Sequence, residues 1–558
     1  MKINGLVAII SLAGSTYASN YTVGQTVDTG SGSVVGHAAP IASAVSEYLG
    51  IPYAQPPVKN LRFAPPLAYT GNSTINASAF GPSCTVAKSN ALSASNSSTS
   101  LNLTAAGRIM AAEIGETGLN LTLSEDCLTM NVWTKPQTGD AKKAVLVWMY
   151  GGFYTIGSSA IPLYNGQFIA DQEDVVVVTI NYRVNIWGFP SSPTLPQNVG
   201  LLDQRLALEW IRQNIAAFAG DPSRITLMGQ SAGAGSADLY SYKWTEDPIV
   251  NAFIMESGTT EVVVPLNAST GAEQWFNVSA SLGCGGADTE EAQVLACMRQ
   301  VNSSALASSL GSNSFSPTID NTLVFDNYTA RAAAGDFIKK PLLIGNNNNE
   351  PSVFRLIALA KGEDLPDAYW QAVGLKTFDC PCAARANVSI FNKVPTWRYR
   401  FFGVFPDTNL TTNPDSGAYH GSEIPMIFGV PPAGQGIANS SQQELALMSY
   451  MRGAWTTFAK DPVAGLSRYE GGWPSYDPAQ DTLIRLGFGE QTGTNVGLAG
   501  TYDAPCGTLF SSISGVGNGK SSGNGTLISN TSSAGVGSAP CGYTATINIT
   551  FDFLFNRK

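Results

Sequence analysis

Ile225-Thr226-Leu227-Met228-Gly229-Gln230-Ser231-Ala232-Gly233 runs from one kind of secondary structure into another. Its first four residues are short, apolar and non-alternating, the pattern of a strand buried on both faces. The Ala/Gly/Ser/Leu run after Ser231 can begin a helix. A serine placed at so sharp a strand-to-helix turn forces close backbone contacts, and flanking glycines relieve them. The turn lifts the hydroxyl clear of the sheet and leaves the following N–H free to receive a developing oxyanion. Ser231 is therefore a candidate nucleophile, although a pentapeptide of this form also arises by chance and needs its context.

That context is more of the same. Ala144 to Met149, Val175 to Ile180 and Phe253 to Met255 are further short, Val/Ile-rich, non-alternating runs. Between them Leu206, Trp210, Ile215 and Phe218 recur at near-helical spacing after Asp203. Strands alternating with helices imply an α/β fold with a mainly parallel sheet and helices on its faces. The 558 residues allow either one large domain with insertions or three or four smaller ones.

Composition is globular, with 44% hydrophobic and only 13% charged residues. A formal net charge of −10 and no Lys/Arg cluster argue against a phosphate-binding surface, so no nucleic-acid partner is expected. Residues 1–18 read as a secretory signal: Lys2, then the apolar Gly5 to Leu12, then the small residues of Thr16-Tyr17-Ala18. That apolar run is too short to span a bilayer, and nothing later reaches about 18 consecutive apolar residues, so no stable membrane insertion is expected. Asn-x-Ser/Thr sequons at Asn72, Asn76, Asn96, Asn102, Asn120, Asn267, Asn277, Asn327, Asn387, Asn409 and Asn548 also point to export. The eight cysteines fit no zinc spacing, and with only His37 and His420 in the chain a His-rich metal site is excluded. Disulfides are the expected use of the cysteines in a secreted, extracellular protein.

Three stretches stand apart. Ser89 to Thr104 is Ser/Asn/Ala-rich and predicts a mobile loop, while Ala105 to Leu123 is amphipathic and reads as either a lid or a surface helix. From Ser511 to Ser538 the chain is Gly/Ser-rich like a linker. It ends in an alternating pattern, Ile547, Ile549, Phe551, Phe553 and Phe555, that predicts a half-buried strand. The expected division is a signal peptide over 1–18, a catalytic domain over 19–510 and a linker with a β-strand extension over 511–558.

A serine hydroxyl is a poor nucleophile until a base takes its proton, and that base is usually histidine. His37 lies near the mature N-terminus, where a solvated loop histidine is the plainer reading. His420, in Ser416-Gly417-Ala418-Tyr419-His420-Gly421, follows the strand-like Trp397 to Phe402 and comes after the serine in chain order.

Several ordered blocks carry a resemblance. They are Gly50-Ile51-Pro52-Tyr53-Ala54 with Leu61-Arg62-Phe63, Ser124-Glu125-Asp126-Cys127-Leu128, Trp148-Met149-Tyr150-Gly151-Gly152, Asn181-Tyr182-Arg183, Asn198-Val199-Gly200-Leu201-Leu202-Asp203-Gln204-Arg205 and Gly229-Gln230-Ser231-Ala232-Gly233. From about residue 25 to the Cys506 region the chain resembles the type-B carboxylesterases, the α/β-hydrolase family of the cholinesterases and fungal lipases. Trp397-Arg398-Tyr399 and Val184-Asn185 look most like secreted fungal members. The resemblance implies a large central, mostly parallel sheet flanked by helices, with loop insertions over the active site. It makes Ser231 the nucleophile, His420 the general base and Glu350 the acid that orients the imidazole, a residue that would otherwise read as a solvated loop carboxylate. Backbone amides of Gly152, Phe153 and Ala232 would form the oxyanion hole. Two departures from the family stand out: Phe153 replaces a third glycine, and Pro351 replaces the glycine after the acid.

The family also pairs Cys84 with Cys127 and Cys284 with Cys297, and matches Arg62 to Glu125 and Arg183 to Asp203 as buried ion pairs. Cys380 with Cys506 would leave Cys382 for Cys541, a pairing the sequence leaves open. Ser257 matches a second serine near the site, read as a buried hydrogen-bonding group. The implied activity is carboxylic ester hydrolysis through an acyl-enzyme, with no metal or organic cofactor and with a small-molecule or lipid ester as substrate. A cholinesterase is disfavoured, because the Cys84 to Cys127 loop lacks any Trp, Tyr or Phe to face a quaternary ammonium and Gln230 is neutral. The alternative from another class is a non-catalytic adhesion or binding protein. Substrate, chain-length preference and oligomeric state are not legible.

Overall fold

The apolar runs become neighbours in one eleven-stranded sheet. The computed structural model describes residues 22–86, 102–114, 119, 121–136, 142–262 and 264–507. In chain order the strands are β1 (His37–Ala38), β2 (Ser46–Pro52), β3 (Thr129–Thr134), β4 (Lys143–Met149), β5 (Val176–Ile180), β6 (Gly220–Gln230), β7 (Ala252–Glu256), β8 (Leu342–Asn347), β9 (Thr396–Phe401), β10 (Asp481–Leu486) and β11 (Val496–Leu498). Their order across the sheet is β11-β10-β9-β8-β7-β6-β4-β5-β3-β2-β1. Pairing is parallel from β5 through β10 and antiparallel at both ends. This is the α/β-hydrolase fold, with its mostly parallel sheet flanked by helices.

The non-alternating strands are explained by burial on both sides. In β4, Leu146 and Trp148 enter one hydrophobic core while Val145, Val147 and Met149 enter the other. Both faces therefore demand apolar side chains, as in any parallel sheet covered by crossover helices. Six helices matter below: α1 (Ala105–Ile114), α2 (Val199–Asn214), α3 (Ala232–Lys243), α4 (Ser352–Ala360), α5 (Cys380–Phe391) and α6 (Gln442–Lys460). The helix expected after Asp203 starts earlier, at Val199 behind Asn198 in the left-handed conformation, and its tail at Ile215–Phe218 tightens into a 3₁₀ turn. The amphipathic stretch after residue 104 forms α1, which packs on the loop that leads to His420. Thr104 N–H donates to Leu410 O at 2.9 Å, and Met110 is fully buried.

Three disulfides join Cys84 to Cys127, Cys284 to Cys297 and Cys380 to Cys506. Cys382 is buried and in no disulfide among the described residues; its suggested partner Cys541, the stretch 1–18 read as a signal, most of the Ser/Asn/Ala-rich loop and the stretch 511–558 read as an extension lie outside them. The two ion pairs are formed and buried: Arg62 grips Glu125 at 2.5 and 2.7 Å, and Arg183 grips Asp203 at 2.7 and 2.8 Å. His37 departs from the loop reading. It lies in the edge strand β1, with Nε2 2.9 Å from Glu47, far along the sheet from the serine turn. No helix among the described residues is long and apolar enough to cross a membrane.

Candidate active site

The parallel strands end together, and their C-terminal loops carry the candidate residues, as open α/β sheets place them. Ser231 sits between β6 and α3 at φ 56°, ψ −123°, a conformation that L-residues rarely adopt. The turn is fixed on both sides: Ser231 N–H donates to Glu256 O at 2.8 Å, and Ser231 O accepts from Gly235 N–H at 2.8 Å. Gly233 is required by closeness, since a Cβ there would lie 2.0 Å from Met149 O. The side chain of Ser231 is 3% exposed.

Glu350 follows β8 and His420 follows β9. His420 Nδ1 lies 2.6 Å from Glu350 Oε2. A carboxylate only accepts, so Nδ1 carries the hydrogen and donates it. The other oxygen, Oε1, accepts from Ser257 Oγ at 2.7 Å and from Asn347 N–H at 2.6 Å. Glu350 is thus a buried carboxyl group with both oxygens hydrogen-bonded, and Ser257 has the hydrogen-bonding role expected of it. Pro351 does not displace the acid: it stands at φ −76°, ψ −10° as the residue before α4, where a missing N–H breaks no helical bond.

The structure does not close a hydrogen bond between Ser231 Oγ and His420. Among the described residues, His420 Nε2 is instead met by the side-chain amide of Gln230 at 3.1 Å. The imidazole packs against a stacked pair of rings, with centroids 5.1 Å from Phe354 on α4 and 4.7 Å from Phe378. Sequence reasoning noted Gln230 only for its neutrality and passed over Asn347, Phe354 and Phe378. Only the adjacency of Gln230 to Ser231 and of Asn347 to Glu350 could have pointed to any of them.

The segment Gly151-Gly152-Phe153 follows β4 and packs against the serine turn, a Cβ on Gly151 lying 2.8 Å from that of Ser231. Gly152 has φ 106° and could carry no side chain, because a Cβ would fall 2.5 Å from Ile156 O. Phe153 follows at φ 56° in the left-handed region, and its ring meets Phe354 edge-on at 5.5 Å. An aromatic residue there carries a conformational cost of roughly 1–3 kcal/mol.

Behind the candidate triad lie more acids than it uses. Glu256 Oε1 accepts from Trp455 Nε1 at 2.7 Å, and Glu423 accepts from Asn347 Nδ2. Burial first, and Glu350's charge second, push the Glu423 carboxyl up to about 8. Burial and then Glu423 push Glu256 upward as well. Burial raises Asp379 to about 6 against the opposing Arg400. Burial thus favours the protonated forms of these acids behind the His420–Glu350 pair, with Asp379 also ion-paired to Arg400 at 3.3 Å.

The carboxylesterase family model matches residues 23–365 and 358–499. The chain is 35% identical to a chlorogenic acid esterase of Aspergillus niger over 87% of its own length and 94% of that protein's. It is 31% identical to secreted lipase 5 of Gibberella zeae, over 79% and 86% of the two chains. With a cholinesterase of Mus musculus it shares 29% over 82% and 83%. A match that runs through nearly every described element, from β1 to β11, leaves one assignment: the chain belongs to the carboxylesterase family and is a carboxylic ester hydrolase.

Proposed function

We propose that this protein is a secreted serine esterase that works through Ser231, His420 and Glu350. The observation that carries the reading is a serine at φ 56° on the β6–α3 turn, whose neighbour Gln230 meets a histidine with its Nδ1 held at 2.6 Å by a buried carboxylate. In the proposed cycle His420 Nε2 takes the Ser231 proton as Oγ attacks the ester carbonyl. The carbonyl electron pair moves onto oxygen, where the amides of Gly152, Phe153 and Ala232 receive it. His420 returns the proton to the departing alcohol, then repeats both roles with water to release the acid. Glu350 stays ionised throughout and stabilises the imidazolium.

Export is supported by the signal-like residues 1–18, by three disulfides, and by the exposure of sequon asparagines Asn72, Asn76, Asn102, Asn267, Asn277, Asn327 and Asn387. We take 19–510 as the catalytic unit and 511–558 as its extension. Ser231→Ala should lower kcat on soluble nitrophenyl esters by about 10⁵–10⁶-fold; unchanged turnover would remove the nucleophile. A folded protein that no fluorophosphonate labels would favour the adhesion reading instead. Chlorogenic acid and an acyl-chain-length series taken across the solubility limit belong in the same panel. A sharp rise at the interface marks a lipase, and preference for soluble esters an esterase.

A further inference from the structure

We infer that Gln230 is a positioning residue that holds the neutral form of His420 and sets the acid limit of activity; the inference rests on the triad reading above. Glu350 takes the Nδ1 hydrogen, so the neutral ring offers only a lone pair at Nε2. The Gln230 amide nitrogen 3.1 Å away can therefore only donate to it. That donor occupies the electron pair with which the imidazole takes the serine proton.

The arrangement reverses when the ring is charged. With a hydrogen on Nε2, an amide N–H facing it is repulsive, and only the amide oxygen can accept. Gln230 is 5% exposed and lies between two glycines whose missing side chains leave its amide space: a Cβ on Gly151 would lie 2.9 Å from its Oε1, and one on Gly421 3.8 Å from its Nε2. In the observed orientation the amide favours the uncharged base. On proton transfer it must turn about its terminal torsion, which has broad, roughly two-fold wells, to present Oε1 to the imidazolium. The residue thus links the segment after β4 to the loop that carries the base, and its orientation is tied to the charge on His420.

The other charged groups around the ring are common to every variant that tests this. They are Glu350 on the β8–α4 loop, Glu423 just past His420, Glu256 at the end of β7, and Asp379 ahead of α5 with Arg400 on β9. Replacing Gln230 changes only the group on Nε2.

The test is the pH dependence of kcat/KM on a soluble short-chain nitrophenyl ester for wild type, Gln230→Glu and Gln230→Leu. A carboxylate favours the charged ring, so Gln230→Glu should move the acid limb to higher pH by about one unit or more. Gln230→Leu removes the donor and should move it the same way by about half a unit. In both, the loss below the limb should exceed the loss on the plateau, by about tenfold for the glutamate. Fluorophosphonate labelling of Ser231 and the melting temperature establish that each variant is folded, and the apolar variant stands if the charged one is not. A uniform loss with the limb unmoved in both would overturn the inference and leave Gln230 a packing residue. Wild-type turnover in Ser231→Ala would instead bring down the triad reading, so the two failures are distinguishable.

Discussion

Phe153 holds a backbone conformation that glycine adopts freely, and its ring is the compensation on view, packed edge-on against Phe354. The proposed oxyanion donor at this position is a main-chain amide, so the side chain and the donor are separable. Phe153→Gly keeps the amide and permits the same φ while emptying the space the ring fills. It should keep kcat/KM for acetate esters within about tenfold, far from the 10²–10³-fold loss of a missing oxyanion donor. The ratio of activity on bulky-acyl over short-acyl esters should rise. Measuring both substrates in one variant decides it: a collapse on acetate esters would mean that the ring holds the amide in place. The same separation explains why Pro351 is tolerated, since it enters a helix start where no N–H is needed while Glu350 still reaches His420.

At the scale of elements, legibility followed burial. Strands β4, β5 and β7 were readable within a residue or two, and β6 in its inner part from Ile225, because both faces are apolar there, leaving unbroken runs of Val, Ile, Leu and Met. β3 was not, because its centre is Asn131, a buried polar residue that donates to Thr179 Oγ1 at 2.9 Å and accepts from Gly50 N–H at 3.0 Å. A polar residue in a strand core reads as a break unless its partners are known, and they lie far off in sequence. β8 escaped for a related reason: it ends in Asn346 and Asn347, whose buried amides serve Asp379 and the β9–α6 loop rather than a turn. The candidate triad was legible through the ordered family blocks and the scarcity of histidine, whereas the Gln230 contact depends on a rotamer that no spacing encodes. The Cys380–Cys506 bridge ties α5 to the end of the described chain across 126 residues. Replacing both cysteines by serine should lower stability by about 2–5 kcal/mol. The urea midpoint measures it, and an unmoved midpoint would mean that packing alone holds the end of the chain on α5.

Across the whole molecule, buried acids outnumber the cations available to them in several places, and this gives stability a direction with pH. Glu113 is buried without a hydrogen-bond partner for Oε2, and burial pushes its carboxyl up to about 7. Asp407 and Glu444 meet at the start of α6, both buried: Asp407 accepts from Ser440 Oγ at 2.6 Å, and Glu444 completes the capping box with Ser441. Burial first, and the neighbouring Asp407 second, push Glu444 up to about 8. With Glu423 also at about 8, the folded protein binds more protons than the unfolded chain, whose carboxyls titrate near 4. A raised carboxyl contributes its stability fully below the unfolded value and loses it as pH rises through the folded one. The melting temperature should therefore fall between about pH 5 and pH 8. Glu444→Gln separates this from general charge repulsion. Glutamine keeps the capping box and is neutral at every pH, so it imitates the protonated acid. The variant should match wild type at pH 5 and be more stable by about 1 kcal/mol or more at pH 8. A variant whose melting temperature tracks wild type at both values would show that the pair sheds its proton at no cost to the fold.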